Sequence, residues 1–92
     1  MQITVETIHT SEAEARGILA WPVSSRDVSR YTWHYDATEI CYIAEGRARI
    51  ETEDGNVEVE KGDLITLPAG LQCAWVIQER LVKHYRVEKA AS

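Results

Sequence analysis

Three polar residues that lie far apart in the chain have side chains suited to acid–base or covalent chemistry: Glu39, Cys73 and Lys83. A carboxylate next to an ammonium group can transfer protons, and a thiol beside them can act as a nucleophile, so the three are candidate catalytic residues. The same groups can instead form an ion pair that orients neighbouring rings and takes no part in a reaction. The choice depends on which strands bring them together.

The aromatic residues are typical of a pocket wall, since the chain has three Trp and four Tyr but no Phe. A Trp or Tyr ring packs like a hydrophobic side chain while its N–H or O–H group still finds a polar partner. A few polar groups among aromatic side chains are the usual construction of a small-molecule site. The candidate ligand-binding residues are Trp33, Tyr35, Cys41, Trp75 and Tyr85.

Turn residues predict that most of the chain is β-structure. Turns at Glu45-Gly46 and Asp54-Gly55 are two of several that separate short apolar segments at nearly regular spacing. Short strands with this spacing are typical of an all-β sandwich or barrel. The predicted strands are residues 2–8, 29–35, 39–44, 48–52, 56–60, 64–67, 73–77 and 81–87.

One short helix is predicted near the N-terminus, and it lies in the same domain as the strands. Ser11 and Glu14 have the spacing of a capping box, and Gly17 would end the helix. No repeat, linker or low-complexity segment divides the chain, so we expect residues 1–92 to form a single domain.

Alternation along the strands predicts which side chains share a face. Glu39 and Cys41 share one face of their strand, which we expect to point inward. In the last strand the more apolar set includes Lys83 and Tyr85, which leaves His84 outside. A single bulge would exchange Lys83 with His84, so both remain candidates for the pocket.

The opposite face of residues 39–44 is also apolar, with Ile40, Tyr42 and Ala44. An exposed strand is seldom apolar on both faces, so another layer or another subunit should cover this one. We therefore expect a weakly held homodimer. A purely structural or assembly role that uses this face is a further alternative.

Residues 62–73 resemble the second sequence motif of the cupins, which spaces a glycine, a proline, a second glycine and a histidine. Gly62, Pro68 and Gly70 match, and Cys73 stands at the histidine position. The resemblance implies a cupin-type double-stranded β-helix, or jelly-roll barrel, with one short N-terminal helix.

Residues 39–46 resemble the end of the first cupin motif, whose glutamate and two preceding histidines contribute to a metal site. Glu39 matches the glutamate, but Trp33 and Tyr35 stand where the histidines are expected. A longer spacing brings His34 to one of these positions, and alternation places His34 outside. A catalytic divalent metal needs about three protein ligands. Glu39, Cys41 and Cys73 could take zinc without an inward imidazole, and this alternative stays open, but the ligand set is incomplete and we expect no metal or other cofactor.

A finer resemblance is to the small cupins related to the ureidoglycine aminohydrolase cupin domain. It depends on three short patterns: Trp33-x-Tyr35, Cys73-x-Trp75 and Lys83-His84-Tyr85. The leading hypothesis is a small-molecule-binding cupin of unknown ligand, for which catalysis is left open. The alternative that the resemblance implies is a metal-dependent enzyme acting on a small nitrogenous or organic-acid substrate.

Composition excludes several classes of partner. The net charge of −5 argues against nucleic acid, which clustered Lys and Arg would have to neutralise. No apolar segment has the length that crosses a membrane, so no membrane partner is expected. The two cysteines lie 32 positions apart in apolar segments and are interpreted as reduced thiols, which favours a cytoplasmic location.

Overall fold

Antiparallel β-strands make up most of the described chain, residues 1–88 of this computed structural model. Within that part, seven strands belong to one hydrogen-bonded sheet, which confirms the all-β prediction. In chain order the elements are β1 (Thr4–Thr7), α1 (Thr10–Ala15), a 3-10 turn (Ile18–Ala20), β2 (Val23–Arg26), β3 (Ser29–His34), β4 (Thr38–Thr52), β5 (Gly55–Glu60), β6 (Asp63–Leu67) and β7 (Gln72–Glu88).

The long strands β4 and β7 form the frame of the barrel. They pair with each other along most of their length, and each has different neighbours in its two halves. The first half of β4 pairs with β6 and its second half with β5. The first half of β7 pairs with β3 and its second half with β2. Both strands therefore run through the two layers, β1-β6-β4-β7-β2 and β5-β4-β7-β3.

A bulge between Ile43 and Ala48 bends β4 where it passes from one layer to the other. At its centre Gly46 has φ 91° and lies against Arg80, whose backbone carbonyl would overlap a Cβ atom at this position. The predicted turn at Glu45-Gly46 is therefore wrong. An extra residue on one strand bends the strand and increases its twist without ending the ladder. The predicted strands 39–44 and 48–52 are therefore both parts of β4.

The prediction also divides the last strand into two, since the predicted strands 73–77 and 81–87 are both parts of β7. The Thr52↔Gly55 pair closes a hairpin with two loop residues, as the Asp54-Gly55 signal predicts. The motif residues Pro68 and Gly70 lie at a turn before β7, with Gly70 at φ 89°. β2 is a strand that the sequence analysis missed.

The N-terminal segment covers the outer face of β4. Ile8, Ala13 and Ile18 form an apolar cluster with Tyr42, which is only 3% exposed. The face that suggested a homodimer is therefore covered at Tyr42 by the chain itself.

α1 begins after His9, and no side chain caps it, so the predicted Ser11–Glu14 capping box is wrong. The carbonyl of His9 accepts the amides of Glu12 and Ala13 instead. Gly17, directly after the helix, has φ 77° as its stop role predicts. No helix among residues 1–88 is long and apolar enough to cross a membrane.

The main core fills the space between the two layers of the barrel. Its members come from the inward faces of β4 to β7, with Tyr35 and Leu71 from the connecting segments. The fully buried members include Cys41, Ile43, Ala48, Ile50, Ile65, Leu67 and Trp75. The core extends to the base of the cavity that β2 and β3 border.

Candidate functional site

A cavity of about 250 Å³ is bordered by strands from both layers. β2, β3 and the second half of β7 supply most of its lining, and β4 contributes one carboxylate. The lining residues are Ser24, Arg26, Tyr31, Trp33, Tyr35, Glu39, Leu81, Lys83 and Tyr85.

Glu39 and Lys83 form the cavity floor, and the buried side chains of Cys41 and Trp75 contact them from the core. The Oε2 atom of Glu39 lies 3.8 Å from the Lys83 Nζ atom and accepts a hydrogen bond of 3.1 Å from the Cys41 thiol. Both charged side chains are largely buried, at 15% and 13% exposed. Lys83 Nζ also lies 4.5 Å from the centroid of the Trp75 ring, within the range of a cation–π contact. The polar groups of the floor therefore contact one another and are largely shielded from water.

Trp75 connects the cavity floor to Tyr35. Trp75 is fully buried, and its indole N–H donates a hydrogen bond of 3.0 Å to the Tyr35 hydroxyl oxygen. Burial raises the pKa of Tyr35 well above its usual range, and the hydrogen bond from Trp75 opposes that shift. The Tyr35 phenol is therefore protonated at neutral pH and keeps a proton that it can donate.

The cavity rim consists of Arg26, Tyr31 and Trp33. The Arg26 guanidinium carbon lies 3.9 Å from the centroid of the Tyr31 ring. Tyr31 and Trp33 meet edge to face with centroids 6.5 Å apart, and Trp33 is 50% exposed. Burial raises the pKa of Tyr31 to about 12, although Arg26 acts in the opposite direction. The rim therefore presents a cation and a neutral phenol next to a partly exposed indole.

Five of the eight predicted site residues line the cavity: Trp33, Tyr35, Glu39, Lys83 and Tyr85. The other three, Cys41, Cys73 and Trp75, were expected at the wall but belong to the buried core. Alternation gives the right faces but not the depth of a side chain. Trp75, for example, is fully buried, with the Tyr31 ring stacked on it at a centroid distance of 6.4 Å and the Lys83 ammonium group 4.5 Å from its centroid.

Lys83, and not His84, faces the cavity. His84 lies on the other face of β7, where its Nδ1 atom is 3.2 Å from the carbonyl oxygen of Trp21. Sequence reasoning missed four lining residues: Ser24, Arg26, Tyr31 and Leu81. Tyr31 shares the face of Trp33, which could have identified it. Ser24 and Arg26 lie in a segment without alternation that gives no strand signal.

The two thiols are held in their protonated form. Burial raises the pKa of Cys41 well above its usual range, and the nearby Glu39 carboxylate acts in the same direction. Burial also raises the pKa of Cys73, with Lys83 opposing the shift. A thiol nucleophile or metal ligand has to be a thiolate. The environment of Cys73 therefore does not favour the nucleophilic role considered for it.

The residues at the cupin metal position do not fit a divalent metal. The Glu39 carboxylate already forms an ion pair with the Lys83 ammonium group and accepts a hydrogen bond from the Cys41 thiol. A cation at this carboxylate would be placed next to another positive charge in a largely buried site. Among residues 1–88, no group of three or more His, Cys, Asp or Glu side chains is arranged to hold a metal ion.

The two-layered antiparallel barrel and its Gly62, Pro68 and Gly70 turns define a cupin fold. Residues 13–85 match the EutQ-like cupin domain, Cupin_3, and the chain belongs to that family. No curated protein matches the chain significantly.

Solved structures agree with this assignment. A DUF861 family protein from Thermotoga maritima is 38% identical, with a TM-score of 0.88 over 95% of this chain and 100% of that one. The EutQ protein of Clostridium difficile is 17% identical, with a TM-score of 0.66 over 98% of this chain and 70% of that one. A cupin superfamily protein from Desulfitobacterium hafniense is 17% identical, with a TM-score of 0.58 over 91% and 74%. The last two show the shared fold alone.

Proposed function

We propose that this cupin binds a small molecule in the cavity and does so without a metal ion. The observation that carries the proposal is the Glu39–Lys83 pair, 3.8 Å apart in the cavity floor. In a metal-dependent cupin the carboxylate at the Glu39 position would face the metal, whereas here an ammonium group and a thiol already satisfy it. The interior remains polar at one end and aromatic elsewhere, which is the usual composition of a ligand site.

The Trp33 side chain supports a ligand at the rim. A large indole that is half exposed next to a concave surface leaves apolar area in contact with water. Phenol groups of Tyr31, Tyr35 and Tyr85 surround the same space and can donate or accept hydrogen bonds. A bound molecule would cover the indole and use these groups for orientation.

The finer family relationship is part of the proposal. The patterns at Trp33, Cys73 and Lys83 support membership of the ureidoglycine aminohydrolase-type branch. We also propose a cytoplasmic location, since the two cysteines are free. A weakly held homodimer remains a prediction, which light scattering at high micromolar concentration would test.

Elemental analysis separates the proposal from the metal-dependent alternative. Protein purified without added metal is expected to contain well under one equivalent of Zn, Mn, Fe or Ni. Stoichiometric metal that is lost in Glu39→Ala would instead establish the alternative, an enzyme acting on a small nitrogenous or organic-acid substrate.

Ligand binding is tested by native mass spectrometry of the purified protein and by a thermal-shift screen of small metabolites. A true ligand should raise the melting temperature of the wild-type protein and much less that of Trp33→Ser. Val28→Ser is the matched control, because Val28 is an exposed apolar residue, at 66%, outside the cavity lining. A compound that stabilises both variants equally binds elsewhere, and a screen without any stabilising compound would contradict the proposal.

A further inference from the structure

The geometry points to the chemical class of the ligand: a small planar carboxylate whose anionic group is bound by Arg26 at the cavity rim. The inference rests on the proposed function, because it concerns the same cavity. It combines the charge balance of the lining, the way in which Arg26 is held, and the shape of the aromatic surface.

The charges that line the cavity leave one cation without a partner. Glu39 and Lys83 neutralise each other across 3.8 Å. Arg26 is the remaining charged residue of the lining. Within residues 1–88 Arg26 forms no ion pair. The carboxylate of the adjacent Asp27 pairs with Arg80 instead, at 3.5 Å. The lining therefore has a net positive charge in a protein whose overall charge is −5.

Arg26 is held in place by an aromatic ring. Its guanidinium carbon lies 3.9 Å above the Tyr31 ring, and β2 is anchored to β7 by the Arg26↔Leu81 pair. Stacking reduces the rotamer freedom that a free arginine would lose on binding. A guanidinium group fixed in this way can bond both oxygens of a carboxylate at once.

The aromatic rim indicates a flat ligand. The rim residues Tyr31 and Trp33 lie on the same face of the chain as the buried Tyr35, and neighbouring ring centroids are 6.5 Å apart at steep angles. Trp33 is half exposed, so one of its surfaces is free to contact a planar group. The cavity volume of about 250 Å³ lies just below the range of about 300–1,000 Å³ that is usual for drug-sized ligands, so the ligand should be small.

A cationic ligand fits this surface poorly. It would meet Arg26 at the rim and Lys83 at the floor, and the Glu39 carboxylate already has two partners. A neutral ligand would leave the Arg26 charge without an anionic partner. An anion is the one class that adds a favourable charge contact at Arg26 without disrupting the cavity floor.

The test uses three probes of nearly equal size: benzoate, benzamide and benzylammonium. Each is titrated into ¹⁵N-labelled protein, and binding is monitored at the amide signals of β2, β3 and the Trp33 indole. Benzoate is expected to bind about tenfold tighter than benzamide, as a charge-assisted contact predicts, and benzylammonium more weakly than both. In Arg26→Gln, benzoate and benzamide should bind equally.

Arg30→Gln is the matched control. Arg30 lies on the outward face of β3 and bonds Glu51 at 2.7 Å, so its loss should not change the preference for benzoate. Equal affinity of benzoate and benzamide for the wild type, or an unchanged benzoate affinity in Arg26→Gln, would overturn the inference. Inorganic phosphate that binds as tightly as benzoate would overturn the assignment of a planar carboxylate.

The failure of this inference can be distinguished from failure of the proposed function. If none of the three probes binds while another compound stabilises the wild type but not Trp33→Ser, the carboxylate assignment is wrong and the cavity is still a ligand site. If no compound gives that pattern, both are wrong.

Discussion

Two ion-pair sites lie on opposite faces of the barrel wall and differ in their surroundings. On the inside, Glu39 and Lys83 are 3.8 Å apart and less than one-sixth exposed. On the outside, Glu51 bonds Arg30 at 2.7 Å and Arg49 at 3.1 Å. The outer site has the shorter distances, yet water screens it, and we expect it to contribute little. We therefore expect the stability of the fold to depend more on the buried Glu39–Lys83 pair, although its two charged groups are farther apart.

The strongest test of this comparison removes one half of the inner pair. Lys83→Met leaves the Glu39 carboxylate largely buried without a counter-charge, and it should reduce the free energy of unfolding by about 3 kcal/mol. Urea titration measures the loss. Adding Glu39→Gln to Lys83→Met should recover most of it, because no charge then remains in the cavity floor. A double variant as unstable as the single one would show that the loss comes from packing and not from charge.

The next test examines the neutral hydrogen bond next to the inner pair. Tyr35→Phe removes the acceptor of the buried Trp75 N–H group, and an unsatisfied buried donor costs about 2 kcal/mol. Chemical denaturation measures the change in stability. Tyr85→Phe is the control, since Tyr85 is only half-buried and none of the side-chain hydrogen bonds seen within residues 1–88 involves it. An equal cost in both variants would contradict the special role of the Tyr35–Trp75 contact.

A smaller effect is expected from pH. Burial raises the pKa of Cys41, so the folded chain keeps a proton that the unfolded chain loses above the ordinary thiol value of 9.0. Stability is therefore fully present below that pH and falls as pH rises, by about 1 kcal/mol at pH 9.5 for this one group. Denaturant titrations at several pH values measure the slope. Cys41→Ala should show a shallower decline, and an identical slope would remove Cys41 as its cause.

The smallest effect belongs to the outer site. The hydrogen bond from Arg30 lowers the pKa of Glu51, yet this carboxylate is surface-located and screened. Glu51→Gln is expected to leave the urea midpoint unchanged within error at physiological salt. A loss comparable with that of Lys83→Met would invalidate the comparison between the two sites.

Local turn chemistry explains how much of the fold the sequence predicts. Gly55, Gly62 and Gly70 all have positive φ, and each lies in or directly after a turn that the neighbouring residues predict. Gly46 has the same conformation for a different reason, since its constraint is the Arg80 backbone, 34 positions away. A requirement of that kind cannot be identified from neighbouring residues, so the bulge was predicted as a turn.

The candidate site shows the same division between local and distant information. Alternation correctly gave Lys83 and Glu39 a common face, because both lie in strands with a regular period. Arg26 was missed because Val23-Ser24-Ser25-Arg26 has no period of its own, and only pairing with β7 makes it a strand. The sequence also does not predict how deep an inward side chain lies. Whether Trp75 lines the cavity or lies beneath it depends on the size of side chains from other strands.

The order of the strands along the chain has a consequence for synthesis. The β4–β7 ladder joins partners from Glu51↔Ala74 to Thr38↔Glu88, which are 23 to 50 positions apart. Neither layer can close before β7 has been made, because β7 lies in both. Chains dominated by such distant pairs fold slowly, in about milliseconds to seconds. A nascent chain that ends before β7 would therefore expose the unpaired edge of β4, and translation pausing there would favour aggregation or chaperone binding.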